Sequence, residues 1–291
     1  MSPHPEMREV KGQWVKPAQK YQSLMGVGTF KFLNEIKLLE NIGWDGIGCK
    51  KLWCYNLHYF DDLNSSNFVK RKKFHRRLIL DWIDKNPPGE GVGWEPYPTS
   101  LRIVNWVKWA LSGNFLTNIS FHSLAVQGRW LNKNIEWHLL GNHLFSNAKA
   151  LVFLGLFFEG KESEKWFKKG FKIVIDEINE QVLLDGGHFE LSPMYHSIFL
   201  DDVLDLINLL ETFPNKVKSI EIEFLRETAS KMLNWLDHMC HLDGEITFFN
   251  DSIIGVAPPP REIKSYAKRL IIKKLETSKV TKHISMIHLA S

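Results

Sequence analysis

The stretch Trp94–Trp106 (WEPYPTSLRIVNW) gathers Trp94, Tyr97, Arg102, Asn105 and Trp106. Aromatic faces stack on the C–H faces of sugar rings, and a guanidinium pairs bidentately with carboxylate or sulfate, so this set could hold an acidic saccharide. It could equally be a tryptophan-rich helix packing in a core. A second stretch, Trp137–Asn147 (WHLLGNHLFSN), puts Asn142 and His143 beside Gly141, just ahead of a strongly apolar run. The competing account is a helix cap with a satisfied core histidine. The third, Asp185–His196 (DGGHFELSPMYH), runs from a Gly-Gly turn through an extended segment to Tyr195 and His196, which open the next helix. Here the alternative is a turn and a tyrosine that packs its ring and bonds its hydroxyl. Asp201, Asp202 and Asp205 further along could suggest the paired carboxylates of a hydrolase, but a run on a solvent-facing helix surface is the expectation. Cys49, Cys54 and His58 lack zinc-finger spacing, and no second Cys/His pair follows. No phosphate-binding glycine loop or dinucleotide fingerprint occurs.

Helices must position these side chains. Apolar residues recur on one helical face from Trp166 to Val182 (Phe167, Phe171, Val174, Ile178), from Ser197 to Leu210 (Leu200, Val203, Leu204, Ile207) and from Glu223 to Cys240 (Leu225, Ala229, Met232, Leu236). Phe30–Glu40 and Phe74–Asp84 also read as helices. Asn86–Ser100, rich in Pro and Gly, reads as an ordered loop, with Ser100 capping a helix over Leu101–Leu111. Turn signals fall at Asp185–Gly187, Phe213–Asn215 and Asp243–Gly244. Strand-like alternation is scarce, Glu245–Phe249 being the best short candidate. After Pro258–Pro260 comes a last basic helix. The expectation is an all-α fold of helices paired antiparallel by short loops.

Composition bounds the rest. With 291 residues, 44% apolar and 24% charged, the chain has ample material for one large domain or two ordinary ones, and disorder of its bulk is excluded. No apolar run reaches the ~18 residues of a membrane span; Ala148–Phe158 is broken by Lys149 and Gly155. Three cysteines cannot build a disulfide framework. Of the 11 tryptophans, nine precede residue 140. The net charge of +4 is uneven: Arg261–Lys282 holds eight Lys/Arg against two Glu, and Lys70–Arg77 holds six cations. Solvated helix faces are the expectation for both, and no nucleic-acid-reading motif accompanies them, so neither nucleic acid nor membrane is expected as a partner. The N-terminus lacks the apolar core of a secretory signal, which points to a cytoplasmic chain.

Five segments together resemble the heparinase II/III-like polysaccharide lyases: LWCYNLHYFDDL (Leu52–Leu63), WEPYPTSLRIVNW (Trp94–Trp106), WHLLGNHLFSNAKAL (Trp137–Leu151), LDGGHFELSPMYHSIFLDDVLDLINLL (Leu184–Leu210) and DGEITFFNDSIIGVAP (Asp243–Pro258). They occur in family order, and DGGHFE…SPMYH is the most specific. The resemblance implies an incomplete (α/α) toroid over residues 45–270, after an N-terminal helical extension (1–44) and before a basic tail (271–291). It implies uronic-acid polysaccharides as substrates (glycosaminoglycan, alginate or bacterial exopolysaccharide), cleaved by β-elimination.

In that chemistry a base removes the C5 proton of a uronate, the adjacent carboxylate must be neutralised, and an acid must reach the leaving O4. Asn142 matches the family position that neutralises the carboxylate. Tyr195 matches the catalytic tyrosine, acid when neutral and base when ionised. Lowering its pKa from ~10 to about 7 needs roughly 4 kcal/mol, which Arg102 or a protonated histidine could supply. His143 matches a base of some relatives, and His196 is a plausible partner. Trp94, Tyr97, Arg102, Asn105, Trp106, His188 and Glu190 are assigned to substrate binding. In relatives a β-sandwich domain follows the toroid and often carries zinc. This chain is expected to lack that domain and to hold no cofactor itself, a separate β-sandwich subunit being a candidate partner. His283 and His288 lie in the tail without a family motif. Many relatives are periplasmic or secreted, the alternative to a cytoplasmic location. Two further readings stay open: an inactive, carbohydrate-binding remnant keeping the Trp94–Trp106 surface, and an inverting hydrolase.

Overall fold

A computed structural model describes residues 4–139 and 141–272. Among these, three short strands, β1 (Leu24–Gly26), β2 (Thr29–Phe32) and β3 (Glu35–Leu38), precede α1 (Leu39–Ile42), α2 (Lys51–Tyr59), α3 (Lys72–Lys85), α4 (Pro96–Leu111) and α5 (Asn118–Lys133). Then come α6 (Gly141–Phe157), α7 (Lys161–Gln181), α8 (Pro193–Thr212), α9 (Ser219–His238) and α10 (Pro260–Arg269). The even-numbered helices pack in sequence: α2 on α4, α4 on α6, α6 on α8, α8 on α10. The odd-numbered ones lie outside them, α5 against α4 and α6, α7 against α6, and α9 against α8. This inside–outside alternation is an incomplete (α/α) toroid.

The sequence dictates which helices go inside. In α6 every residue from Leu144 to Phe157 is buried, as a helix apolar on all sides must be. In α7 one stripe (Trp166, Phe167, Phe171, Val174, Ile178) is buried while Lys165, Lys168 and Lys172 face solvent. The two helices approach closely at Gly155 and Gly170. A Cβ on Gly155 would lie 2.5 Å from the Phe167 amide nitrogen, and one on Gly170 2.6 Å from the Ala148 carbonyl oxygen.

A polar network ties four inner helices together. On α8, Asp205 Oδ2 accepts from Lys108 Nζ of α4 and Lys149 Nζ of α6, both at 2.7 Å, and Asp205 Oδ1 accepts from Tyr266 Oη of α10 at 3.1 Å. Lys149 Nζ also reaches Asp202 at 2.6 Å. The aspartates therefore point inward, not to solvent as expected, because the two lysines supply the counter-charge that burial requires. Burial would raise the Asp205 carboxyl, but Lys108 and Lys149 hold it below its ordinary value. Asp201 is raised, by its own burial first and then by the charge on Asp205, and its Oδ1 finds no hydrogen-bond partner among the described residues.

The N-terminal region corrects the sequence reading. Residues 1–44 were expected as a helical extension containing a helix over Phe30–Glu40. Instead, β1, β2 and β3 form an antiparallel meander, with Thr29 opposite Leu38 and Phe32 opposite Glu35. Phe30 and Phe32 alternate inward at period two, stack at 5.6 Å and meet Trp53, while Leu33 and Asn34 turn the chain at positive φ. Before the meander, an extended strap crosses the C-terminal ends of the inner helices. Arg8 Nε donates to the Leu156 carbonyl (2.8 Å), Gly12 N to Thr212 (2.9 Å), and Arg269 Nε of α10 donates back to the strap's Lys16 (2.9 Å). The strap thus satisfies carbonyls that α6 and α8 leave unpaired.

Smaller differences have local causes. α4 begins at Pro96, not Leu101, since proline is well suited to a first helical turn; Ser100 lies inside the helix and bonds the Pro96 carbonyl. Glu245–Phe249 contributes only an isolated bridge, Cys240 to Ile246. The basic run Lys70–Arg77 is partly structural, because Arg71 and His75 both turn in to Asp62 at 2.7 Å and hold its carboxyl at about 2. The tail beyond Ile272, with His283 and His288, lies outside the described residues. No described helix is long and apolar enough to cross a membrane.

Asp201→Asn should keep the fold and stabilise it, more at high pH than at low. The folded chain keeps the Asp201 proton at pH values where the unfolded chain has lost it, so wild-type stability falls as pH rises through that interval. Thermal melts should give nearly equal Tm values at about pH 4 and a variant ahead by on the order of 2 kcal/mol at about pH 8. A gap independent of pH would contradict the placement of this carboxyl.

Candidate active site

With the C-terminal ends of the inner helices strapped, Tyr97, Asn142, His143 and Tyr195 sit in the first turns of α4, α6 and α8 at the opposite end. His143 stacks on Tyr97 with ring centroids 4.3 Å apart. Its Nδ1 lies 3.2 Å from Glu136 Oε1. An ionised carboxylate can only accept, so Nδ1 is the donor of this contact, and in the neutral ring the lone pair then sits on Nε2. Glu136 is itself buried and anchored. Its backbone N–H donates to Asn147 Oδ1 (2.9 Å), and its Oε2 accepts from Asn147 Nδ2 (3.1 Å).

On the other side, Asn142 Nδ2 donates to Glu190 Oε1 at 3.3 Å. Glu190 belongs to the segment that leads from the Gly186–Gly187 turn into α8. That turn requires glycine: Gly186 has φ +90°, and a Cβ there would lie 2.5 Å from the Lys231 backbone. Ser192 caps α8 by accepting from the Tyr195 amide at 3.3 Å, and Ser252 buttresses the cap through Ser192 Oγ (3.1 Å) and the Met194 amide (3.3 Å).

Tyr195 is half-buried, and its phenol is raised above the ordinary tyrosine value by burial first, then by Glu190 and Asp251. The expected lowering by Arg102 or a protonated histidine does not occur, because the charges facing this phenol are carboxylates. Tyr195 therefore holds its proton at neutral pH and is a donor. Glu190 is likewise raised, by burial and by Asp251. Tyr97 is raised by burial and by Asp202, and it feels Tyr195, so both hydroxyls belong to one cluster.

The structure thus brings together Tyr97, Asn142, His143, Glu190 and Tyr195. It separates the others. Trp94 is 2% exposed, and Arg102 and Trp106 are 0%. Arg102 lies 3.8 Å over the Trp82 ring and donates to the Gly93 carbonyl (2.7 Å) and Gln127 Oε1 (2.9 Å); burial among neutral partners lowers its pKa. Trp82, Trp106 and Phe60 pack edge to face beside it, and Trp94 lies tilted on Trp82. Asn105 is spent on the Tyr59 carbonyl (2.9 Å) and Asp61 (2.8 Å). This stretch is core, so the saccharide-binding assignment of Trp94, Arg102, Asn105 and Trp106 is withdrawn.

His196, expected as a catalytic partner, is also buried. Its Nε2 donates to the Met232 carbonyl (2.9 Å), and its Nδ1 accepts from the His188 amide (3.3 Å), which fixes a neutral ring with a pKa near 3, lowered chiefly by burial. His188 is buried against Gln181 (3.1 Å), with burial lowering its pKa to about 4. Both histidines hold the Gly-Gly turn and the start of α8 in place; neither can touch a polymer at the site. Sequence reasoning missed Glu136, Asp251 and Trp137, the last 53% exposed. Trp137 stands in the quoted motif and could have been noticed as a tryptophan outside any apolar stripe.

Two groups could have suggested metal. Asp201, Asp202 and Asp205 bring carboxylate oxygens within 4.8 Å of one another, but Lys149 Nζ bonds two of the three and provides the positive charge. Near Cys49 and Cys54, the His58 ring is engaged by the Trp44 carbonyl (3.0 Å) and Trp82 Nε1 (3.0 Å).

The architecture defines a class: an (α/α)-toroid protein with a tyrosine, a histidine and an asparagine at its inner helix N-termini. The chain belongs to the family described as Heparinase II/III N-terminus, whose model matches residues 60–269. Over 145 residues it is 33% identical to a heparin-sulfate lyase of Bacteroides stercoris, a match covering 47% of this chain and 20% of that protein. Over 194 residues it is 29% identical to a heparin-sulfate lyase of Bacteroides thetaiotaomicron, covering 60% and 27%. Its fold is similar to that of heparan sulfate lyase HepC from Pedobacter heparinus, with a TM-score of 0.54 and 22% identity over 87% of this chain and 45% of that one. The chain therefore spans less than half the length of each of these relatives.

Glu136→Ala should release the His143 ring without unfolding the protein. Nitrogen-15 spectra of the imidazole at neutral-ring pH are expected to show the Nδ1–H tautomer in the wild type and a tautomer mixture in the variant. An unchanged tautomer would contradict the Glu136–His143 contact.

Proposed function

We propose that this chain is the toroid portion of a lyase that cleaves uronic-acid polysaccharides by β-elimination. The observation that carries the reading is the grouping of Asn142, His143 and Tyr195 in the first turns of two inner helices, with His143 Nδ1 turned to Glu136 and its ring stacked on Tyr97. With Nδ1 turned to Glu136, the neutral His143 ring presents Nε2 as its acceptor, and Tyr195 keeps its phenolic proton because burial, Glu190 and Asp251 disfavour the anion. His143 Nε2 then takes the C5 proton, the electron pair forms the C4=C5 double bond, the C4–O4 bond breaks, and Tyr195 protonates the departing O4. Charge developing on the uronate carboxylate is met by Asn142, whose amide donates to a carboxylate oxygen already in the free protein, that of Glu190. The N-terminal ends of α4, α6 and α8 add the positive ends of three helix dipoles. The similarity to heparin-sulfate and heparan sulfate lyases supports an acidic glycosaminoglycan as the first substrate class to try.

The rim supports a β-sandwich partner, in the same polypeptide or separate. Phe189, Leu191, Phe248, Phe249 and Ile253 are exposed apolar side chains on the segments flanking Glu190 and Asp251. A second reading, a polysaccharide-binding remnant without turnover, draws on one observation: the charges nearest Tyr195 are carboxylates, which repel an anionic polymer. Such a remnant would have to use Trp137 and the exposed rim aromatics, since the Trp94–Trp106 stretch is buried.

Incubation with heparan sulfate, chondroitin and alginate should yield unsaturated products absorbing in the near ultraviolet for at least one polymer. Tyr195→Phe and His143→Ala should each cut the rate by about 10²–10⁴-fold. Because Tyr195 acts as the protonated donor, activity should persist on the alkaline side up to its raised ionisation. Binding with no product, unaffected by Tyr195→Phe, would favour the remnant instead.

A further inference from the structure

The two cysteines at the start of α2 play no part in this chemistry, yet they share one small space. Cys49 precedes the helix and Cys54 sits in its second turn. Both address the Gly46 carbonyl, the Cys49 amide at 2.8 Å and Cys54 Sγ at 3.7 Å. A Cβ at Gly46 would lie 2.3 Å from Cys54 Sγ and 3.6 Å from Cys49 Cβ, so the glycine leaves room that the two side chains fill together. Each thiol points at a carbonyl of the same turn, Cys49 Sγ at Ile47 (3.9 Å) and Cys54 Sγ at Gly46 (3.7 Å). Their accessibility differs: Cys49 is half-exposed and Cys54 is buried, with burial pushing its thiol up. The third thiol, Cys240, lies beyond α9 next to Lys264.

We propose that Cys49 and Cys54 form a reversible dithiol–disulfide pair that exchanges with small-molecule disulfides. Cys49, the accessible sulfur, attacks one sulfur of RS–SR and releases RS⁻, leaving a mixed disulfide on Cys49. Cys54 then attacks the Cys49 sulfur and expels the second RS⁻. The protons of the two protein thiols end on the two released RSH molecules. The protein pair is oxidised by two electrons, and the external disulfide is reduced by two.

The crosslink would fasten the Gly46–Lys50 turn to α2, and α2 is a wall of the candidate site. Lys51 Nζ and Tyr55 Oη of this helix both bond Glu95, the residue just ahead of α4, two residues before the Tyr97 that stacks on His143. Redox state at Cys49 and Cys54 is thereby connected to the site by one helix and one carboxylate.

The test uses the full chain and oxidised glutathione. After incubation, denaturation and thiol titration, reactive thiols should fall from three to one, with the protein still monomeric and its mass lower by two hydrogens. Peptide mapping should join Cys49 to Cys54, and dithiothreitol should restore all three thiols. Cys54→Ser should halt at a glutathione adduct on Cys49, whereas Cys240→Ser should still form the internal bond. A stable glutathione adduct on wild-type Cys49, disulfide-linked dimers, or three thiols surviving treatment would each overturn the proposal. None of these outcomes depends on lyase activity.

Discussion

Asp205 accepts hydrogen bonds from two ammonium groups on two different helices while a third helix donates a phenol to it. An ion cluster of this kind is costly to bury and costly to break, so it tolerates one arrangement of α4, α6, α8 and α10 and few others. Lys149 lies about two turns along α6 from Asn142 and His143, and Asp202 lies about two turns along α8 from Tyr195, so fixing the cluster fixes the heights of the helix ends. Apolar packing alone, which tolerates sliding by small amounts, would set the relative positions of Tyr97, His143 and Tyr195 less sharply. The glycines of α6 and α7 and the N-terminal strap serve the same end from outside and from below.

The proposed reaction draws on the electrostatics at the helix ends. Glu136 fixes the His143 ring from behind, whereas Glu190 and Asp251 press on Tyr195 from the solvent side. In the proposed reaction these two carboxylate environments favour His143 Nε2 as acceptor and the Tyr195 hydroxyl as donor. The arginine that seemed suited to the opposite task is inside the tryptophan core, satisfied by carbonyls and a ring face.

Much of the helical frame could be read in the sequence because one-faced helices announce themselves: the stripes of α7, α8 and α9 were visible, as was the strongly apolar run of α6, interrupted by Lys149. β2 and β3 escaped because they are only four residues each, and two inward phenylalanines at period two resemble a fragment of a helical face. Asn142, His143 and Tyr195 were named from the family motifs, and the structure puts them in the first turns of α6 and α8. The depth of Trp94, Arg102 and Trp106 was not, since an amphipathic side chain reads alike on a surface and in a core. What buried them was Trp82 and Phe60, remote in sequence. Glu136 was missed for a related reason, as it reaches His143 from a loop ahead of α6 and leaves no periodic trace.

The proposed polymer-binding site lies at the N-terminal ends of α4, α6 and α8. Mapping chemical shifts while a heparan sulfate oligosaccharide is titrated into the isotopically labelled chain tests that placement. The largest changes should fall on the side chains of Asn142 and His143 and on the amides around Tyr97 and Tyr195. Changes centred on the basic face of Lys70–Arg77, or along the N-terminal strap at the other end of the toroid, would contradict it.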